Sequence, residues 1–217
     1  MQRRDFFGGA GSLAAGAALL SPAWVVAQAR APQAGTDFLK LDKPALVEAP
    51  AGKVEVVEFF WYNCPHCNQF EPALEAWVKK LPKDVVFKRA PIAFRDDFVP
   101  QQKLFYTLDA MGLVEKLHAK VFAAVHVEKQ NLSSAQAITD WIVTQGVDKA
   151  KFLEKFNSFD TSNKATRARQ LQNAYRVEGV PALGVAGRFY TDGSMAKGMD
   201  RALQVVDFLV SEARAGR

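Results

Sequence analysis

A chain of 217 residues, 49% hydrophobic and 24% charged, holds enough apolar material for one core-bearing domain, or one domain with a large insertion, and excludes a disordered or low-complexity protein. The formal net charge is +5, with basic residues grouped at Lys79, Lys80, Lys83, Lys88 and Arg89 and at Lys164, Arg167, Arg169 and Arg176. Neither group is interleaved with exposed aromatics or set on a nucleic-acid-binding module, so both read as solvated basic faces and no nucleic-acid partner is expected.

Residues 1–29 read as a cleaved export signal. Arg3 and Arg4 form a short basic region, a Gly/Ala-rich apolar run covers 6–26, and Ala27-Gln28-Ala29 is an A-x-A cleavage site that leaves Arg30 at the new N-terminus. The run is weak for a stable membrane span, a retained anchor being the alternative. The paired arginines before Asp5, Phe6 and Phe7 resemble a twin-arginine signal, and a general secretory signal fits the same residues. By either route the mature chain meets an oxidising compartment, where disulfides persist.

Residues 30–52 are rich in Pro, Ala and Gly, with one short strand expected around 38–41. The strongest strand signal is 54–62 (VEVVEFFWY), β-branched, aromatic and nearly continuous, as a central strand buried on both faces is. Asn63 follows as the expected N-cap, and Pro65 suits the first turn of a helix. Cys67, Phe70, Leu74, Trp77/Val78 and Leu81 recur at spacings of three and four, one face of a helix that Pro82 ends. A second strand at 85–90 (VVFKRA), closed by Pro91, completes a βαβ unit.

From 100 to 176 there is no strand-like run. Leu104, Leu108, Met111, Leu117, Val121 and Val125 predict one or two helices, Ser133 or Ser134 caps another that Gly146 stops, and helices follow at 148–156 and 161–175. Then 180–185 is strand-like, Ala186-Gly187 a tight turn, 188–190 a partner strand, and Asp200 the expected cap of a last amphipathic helix through Leu203, Val206, Leu209 and Val210. The order predicts an α/β domain built from 30–99 and 177–217, with an all-helical insertion at 100–176.

Both cysteines fall in 59–70 (FFWYNCPHCNQF). Zinc needs four ligands or three and a water, and only His66, His118 and His126 stand beside the cysteines as candidates. His66 lies inside the loop and points away from an ion held by both sulfurs. His118 and His126 are eight residues apart, about 12 Å along a helix, too far to share a metal. Attachment of c-type haem wants a histidine after the second cysteine, where this chain has Asn68. A purely structural staple across so short a loop removes little unfolded-chain entropy.

Redox chemistry remains. Cys64 sits at the expected helix N-terminus, where unpaired N–H groups and the helix dipole favour a thiolate, and His66 adds a positive or hydrogen-bonding group nearby. Cys67 is one turn in, on the apolar face. Cys64 is therefore expected as the exposed, attackable sulfur and Cys67 as the buried, resolving one. Stabilising the thiolate stabilises the reduced pair, which makes the disulfide a strong oxidant.

Cys64-Pro65-His66-Cys67 between a buried strand and a helix resembles the DsbA family of thioredoxin-fold thiol oxidases, which carries an all-helical insertion between its βαβ and ββα halves. The resemblance covers the whole chain after residue 29. It implies a thioredoxin-like fold, a redox-active Cys64–Cys67 disulfide with no other cofactor, and a periplasmic dithiol oxidase acting on newly exported, reduced and unfolded proteins through a mixed disulfide at Cys64. It also implies a quinone-linked membrane reoxidase of the DsbB type. Val180-Pro181 is similar to the family's Val–cis-Pro pair, which offers Val180 backbone groups to a substrate strand; taken alone, Pro181 reads as an ordinary strand-start proline. Glu58, six residues before Cys64, matches the family's buried acid, which has a raised pKa and relays the proton of Cys67; a strand glutamate paired at a sheet edge is the other reading. Asn63 departs from the glycine or aromatic residue of the family. Trp61, Tyr62 and Phe70 are expected to pack around the site or to form part of an apolar substrate surface, Phe70 more as core packing, and His118 and His126 to be surface or core histidines.

Two further functions share this sequence pattern. An isomerase of the DsbC type needs an N-terminal dimerisation domain, for which the residues between Arg30 and Lys53 leave no room, so a monomer is expected; a thioredoxin-type reductase typically has Gly-Pro between its cysteines and Thr before the cis proline, where this chain has Pro-His and Val. A peptide-binding chaperone without redox turnover would use the same groove.

Overall fold

Seven consecutive buried residues, Val54–Phe60, form the strand around which the molecule is built. The computed structural model describes residues 30–216, so the expected export signal and its cleavage point lie outside the described residues. In chain order the strands are β1 (Leu39–Lys40), β2 (Val54–Phe60), β3 (Val85–Pro91), β4 (Ala182–Val185) and β5 (Phe189–Asp192). They form one sheet in the order β1-β5-β4-β2-β3, in which only β2 and β3 run parallel. That parallel step requires a crossover, and helix α1 (Pro65–Val78) supplies it. β4 and β5 close as a hairpin through Ala186 and Gly187, both at positive φ (52° and 67°), which matches the twist of the strands.

Five helices stand between β3 and β4: α2 (Val99–Ala110), entered through a short 3₁₀ turn, then α3 (Val114–His126), α4 (Ala135–Thr144), α5 (Lys149–Phe156) and α6 (Phe159–Ala174). Ser134, Asp148 and Ser158 cap the last three, each side chain accepting the backbone N–H three residues on. A final helix, α7 (Met199–Arg214), covers the sheet. The fold is therefore the thioredoxin-like α/β arrangement with a helical insertion.

The core falls into three apolar groups. Val56, Phe70, Leu74, Leu183, Val206 and Leu209 join one sheet face to α1 and α7. Val57, Phe59, Ile92, Tyr175 and Tyr190 fill the other face, where Gly184 is required because a Cβ there would lie 2.6 Å from Tyr175 Cζ. The insertion has its own centre in Leu104, Leu117, Phe122 and Ile142, and this group runs on through Phe60 and Tyr62 to both cysteines. The helices thus pack against the end of β2, where the site lies.

Two capping expectations are overturned. Asn63 does not cap α1: the N-cap is Cys64, whose sulfur accepts from the Cys67 N–H, while the Asn63 side chain is drawn to Gln101 and Ser133. Asp200 does not cap α7 either, for Gly198 is the N-cap, with no side chain to serve, and Asp200 lies in the first turn. There its charge still favours the helix dipole. α1 also ends at Val78, ahead of Pro82, because the chain turns at Lys79–Lys80.

Candidate active site

β2 ends at Phe60 and the chain turns at once, the Cys64 N–H donating to Trp61 O at 3.0 Å. Pro65 at the first helical position has no N–H to satisfy and a φ already suited to the helix. Cys64 Sγ accepts from the Cys67 backbone N–H at 3.3 Å, and while it carries its proton it donates to the Val180 carbonyl, also at 3.3 Å. Both cysteines are free thiols. Cys64 is 7% exposed and Cys67 fully buried, so the openly exposed Cys64 expected from the sequence is corrected: the two differ less in exposure than in chemistry.

A hydrogen bond from the Cys67 thiol does most to lower Cys64, to about 6; the backbone amides of Cys67 and His66 and the His66 charge act in the same direction, against burial. Cys67 is pushed far up, by burial first, then by Cys64 and by the charge of Glu58. At neutral pH the pair therefore holds one thiolate and one thiol. His66 and Pro65 themselves are exposed.

The Val180–Pro181 peptide is cis, immediately ahead of β4, so the ordinary strand-start reading of Pro181 is set aside. Pairing of β4 with β2 brings the Val180 carbonyl to the Cys64 sulfur. Beside them Trp61 stacks on Phe98, centroids 3.8 Å apart and planes 7° apart, and Phe94, 41% exposed, meets Phe98 edge-on. Trp61 and Val180, both half-buried, pack with the buried Phe98 in one apolar group. Phe70 packs on the other side, in the core with α7.

Beneath the cysteines lies a buried charge cluster. Glu58 is fully buried on the central strand, which removes the sheet-edge reading, and faces Arg89 across the β2–β3 ladder, Oε2 to Nε at 3.1 Å. Arg89 Nη2 also binds Glu71 Oε1 at 2.7 Å and Glu75. Arg89, read from the sequence as part of a solvated basic face, is only 10% exposed at its side chain, because a buried carboxylate on the neighbouring strand demands a counter-charge. One guanidinium cannot balance three carboxylates. Burial, with Glu71 adding to it and Arg89 opposing, pushes Glu58 up to about 8. Glu71, though burial acts against it, is held low by His118 and Arg89.

The raised Glu58 pKa has a consequence for stability. Below its ordinary value of 4.5 the group is protonated in both folded and unfolded chain; above it only the unfolded chain ionises, so this contribution to stability is lost as pH rises to about 8. Glu58→Gln is expected to remove that loss. The difference between wild-type and variant unfolding free energies should slope by up to about 1.4 kcal/mol per pH unit over this window and flatten above it. Parallel slopes from urea titrations would sink the assignment.

The sequence singled out Cys64, Pro65, His66, Cys67, Glu58, Val180 and Pro181; it gave no place at the site to Arg89, and it read the two α3 histidines as surface or core residues, which the burial of His118 agrees with. His118 Nδ1 accepts from the Tyr62 hydroxyl at 2.8 Å, its Nε2 faces Glu71 Oε1 at 3.4 Å, and His126 Nε2 donates to the Tyr62 carbonyl at 2.8 Å. Arg89 could have been found by asking which strand residue answers Glu58. The histidines carried no local signal.

Two thiols of such unequal acidity, set at one helix terminus on this strand order, define the class of thioredoxin-like thiol:disulfide oxidoreductases. Residues 55–210 match the DSBA-like thioredoxin domain. The thiol:disulfide interchange protein DsbA of Burkholderia cepacia is 46% identical over 202 residues, covering 93% of this chain and 92% of that one. The crystal structure of Pseudomonas aeruginosa DsbA superposes with a TM-score of 0.81 at 39% identity, over 85% of this chain and 96% of that one. DsbA of Xylella fastidiosa superposes with a TM-score of 0.79 at 29% identity, over 86% and 100%. The chain belongs to the DsbA family.

Proposed function

We propose that this protein is a periplasmic dithiol oxidase that donates a Cys64–Cys67 disulfide to newly exported proteins. The observation that carries the reading is the inequality of the two sulfurs, with Cys64 lowered to about 6 and Cys67 raised. A substrate thiolate attacks the Cys64 sulfur, the Cys64–Cys67 bond breaks, and Cys67 leaves and takes a proton. A second substrate thiolate then attacks the substrate sulfur of the mixed disulfide and releases Cys64 as thiolate. The substrate dithiol loses two electrons and becomes a disulfide; the enzyme pair gains them.

In this reading Pro65 and His66 start the helix and favour the Cys64 thiolate. Glu58, protonated up to about pH 8, gives its proton to the departing Cys67 and recovers it in the reverse step. Val180 and Pro181 present backbone groups to an extended substrate segment. Residues 30–99 with 177–217 form the catalytic domain and 100–176 the insertion; residues 1–29 direct export and are removed after Ala29. The partners are reduced, unfolded exported proteins and a quinone-linked membrane reoxidase of the DsbB type. The protein acts as a monomer, without nucleic acid, and needs no cofactor beyond its own cysteine pair.

The test is a redox equilibrium of the purified protein against glutathione, read by mass after alkylation of free thiols. A strongly oxidising pair is expected. A poise close to that of thioredoxin overturns the oxidase and points to a reductase, and peptide binding without thiol exchange points to a chaperone.

A further inference from the structure

The turn that delivers Cys64 is fastened from the side of the helical insertion. The Tyr62 phenol, itself 1% exposed, donates to His118 Nδ1 at 2.8 Å, and the Tyr62 carbonyl accepts from His126 Nε2 at 2.8 Å. The next residue is held as well: Asn63 Oδ1 accepts from Gln101 Nε2 at 2.7 Å, and Asn63 Nδ2 donates to Ser133 Oγ at 3.4 Å. His118 is 4% exposed and Gln101 2% exposed, so the Tyr62–His118 bond is interior, while the bonds to His126 and Gln101 are part-buried and the one to Ser133 lies at the surface. Glu71 Oε1, an acceptor, faces His118 Nε2 at 3.4 Å, which favours the tautomer with the ring proton on Nε2 and Nδ1 free to accept from the phenol.

Cys64 is the N-cap of α1, and its sulfur caps the helix by accepting from the Cys67 N–H at 3.3 Å. Whether the sulfur stays over the helix end depends on the backbone of the two residues before it. We propose that His118 and His126 are positioning residues for Cys64, acting through Tyr62, and that through them the helical insertion sets how oxidising the cysteine pair is. The proposal rests on the reading of Cys64 as the reactive thiolate. A phenol deprived of its buried acceptor must move or bury an unsatisfied hydroxyl, and either outcome loosens the turn.

The test titrates the Cys64 thiolate by its absorbance at 240 nm, and measures the glutathione equilibrium, in the full mature chain. Tyr62→Phe and His118→Leu should each raise the titration midpoint and make the pair about tenfold less oxidising. The double variant should add nothing further, since both changes break one bond. His118→Asn, whose Oδ1 stands where Nδ1 was, should restore the wild-type value; a merely structural role for the ring would not be rescued this way. Should His118→Leu fail to fold, Tyr62→Phe, which removes a single oxygen, carries the test. A low wild-type midpoint shared unchanged by Tyr62→Phe overturns the positioning role alone. A wild-type Cys64 that titrates as a free thiol overturns the thiolate reading together with it.

Discussion

Cys64→Ser is expected to reduce the oxidation of a dithiol substrate by at least about a thousandfold, to the background rate of the buffer. The chain has only two cysteines, and Cys67 is fully buried, so no other sulfur can take over. Cys67→Ser should behave differently: Cys64 remains a thiolate at pH 7, attacks glutathione disulfide, and the mixed disulfide persists because its buried partner is gone. Mass spectrometry of the two variants after incubation with glutathione disulfide separates them. A Cys64→Ser protein that retains turnover would end the dithiol mechanism. The thiolate also orders the two redox forms by pH. Cys64 is depressed from its ordinary value of 9.0 to about 6, so its stabilisation of the reduced form is present above pH 9 and is lost as pH falls through 6. Thermal melts of reduced and oxidised protein should therefore converge toward acid pH.

Arg89→Met is the second large effect, on stability. It leaves Glu58, Glu71 and Glu75 without the cation that holds them, two of the three in the interior. Breaking a buried ion pair by removing one partner costs about 3–5 kcal/mol, which lowers the melting temperature of a domain this size by roughly 10 °C. The sign with pH follows from the carboxylates. Unpaired and buried, they have raised folded-state pKa values, so the deficit should be largest near pH 8 and shrink toward pH 4.5 as they take up protons. Adding Glu58→Gln to Arg89→Met should recover part of the loss at pH 8, because the folded chain then no longer has to hold the deepest carboxyl protonated against its ordinary value of 4.5. Urea unfolding at the two pH values measures all of this; a deficit under 1 kcal/mol, or one independent of pH, contradicts the cluster's role.

The cysteine motif was legible because its chemistry is local. A β-branched and aromatic strand, a proline at the first helical position and two cysteines one turn apart specify the helix terminus and both sulfurs within about a dozen residues. Local reasoning failed where two groups compete for one task. Asn63 has the right chemistry to cap α1, yet the Cys64 sulfur caps it and Gln101, 38 residues on, takes the amide. Arg89 looked solvated among its lysine neighbours until the parallel ladder set it opposite Glu58.

The sequence by itself determined the strand–helix–strand order, the helical insertion, the place of both cysteines and the family's likeness, since periodicity, caps and prolines act over a few residues. Only the tertiary structure decided how the site is held. β4 pairs antiparallel with β2, and that pairing brings the Val180 carbonyl to a sulfur 116 residues away. α3 packs across the end of β2, and that packing turns two histidines expected only at the surface or in the core into the partners of Tyr62. The charge on a buried group depends on what else is buried beside it, through distances that no spacing along the chain encodes.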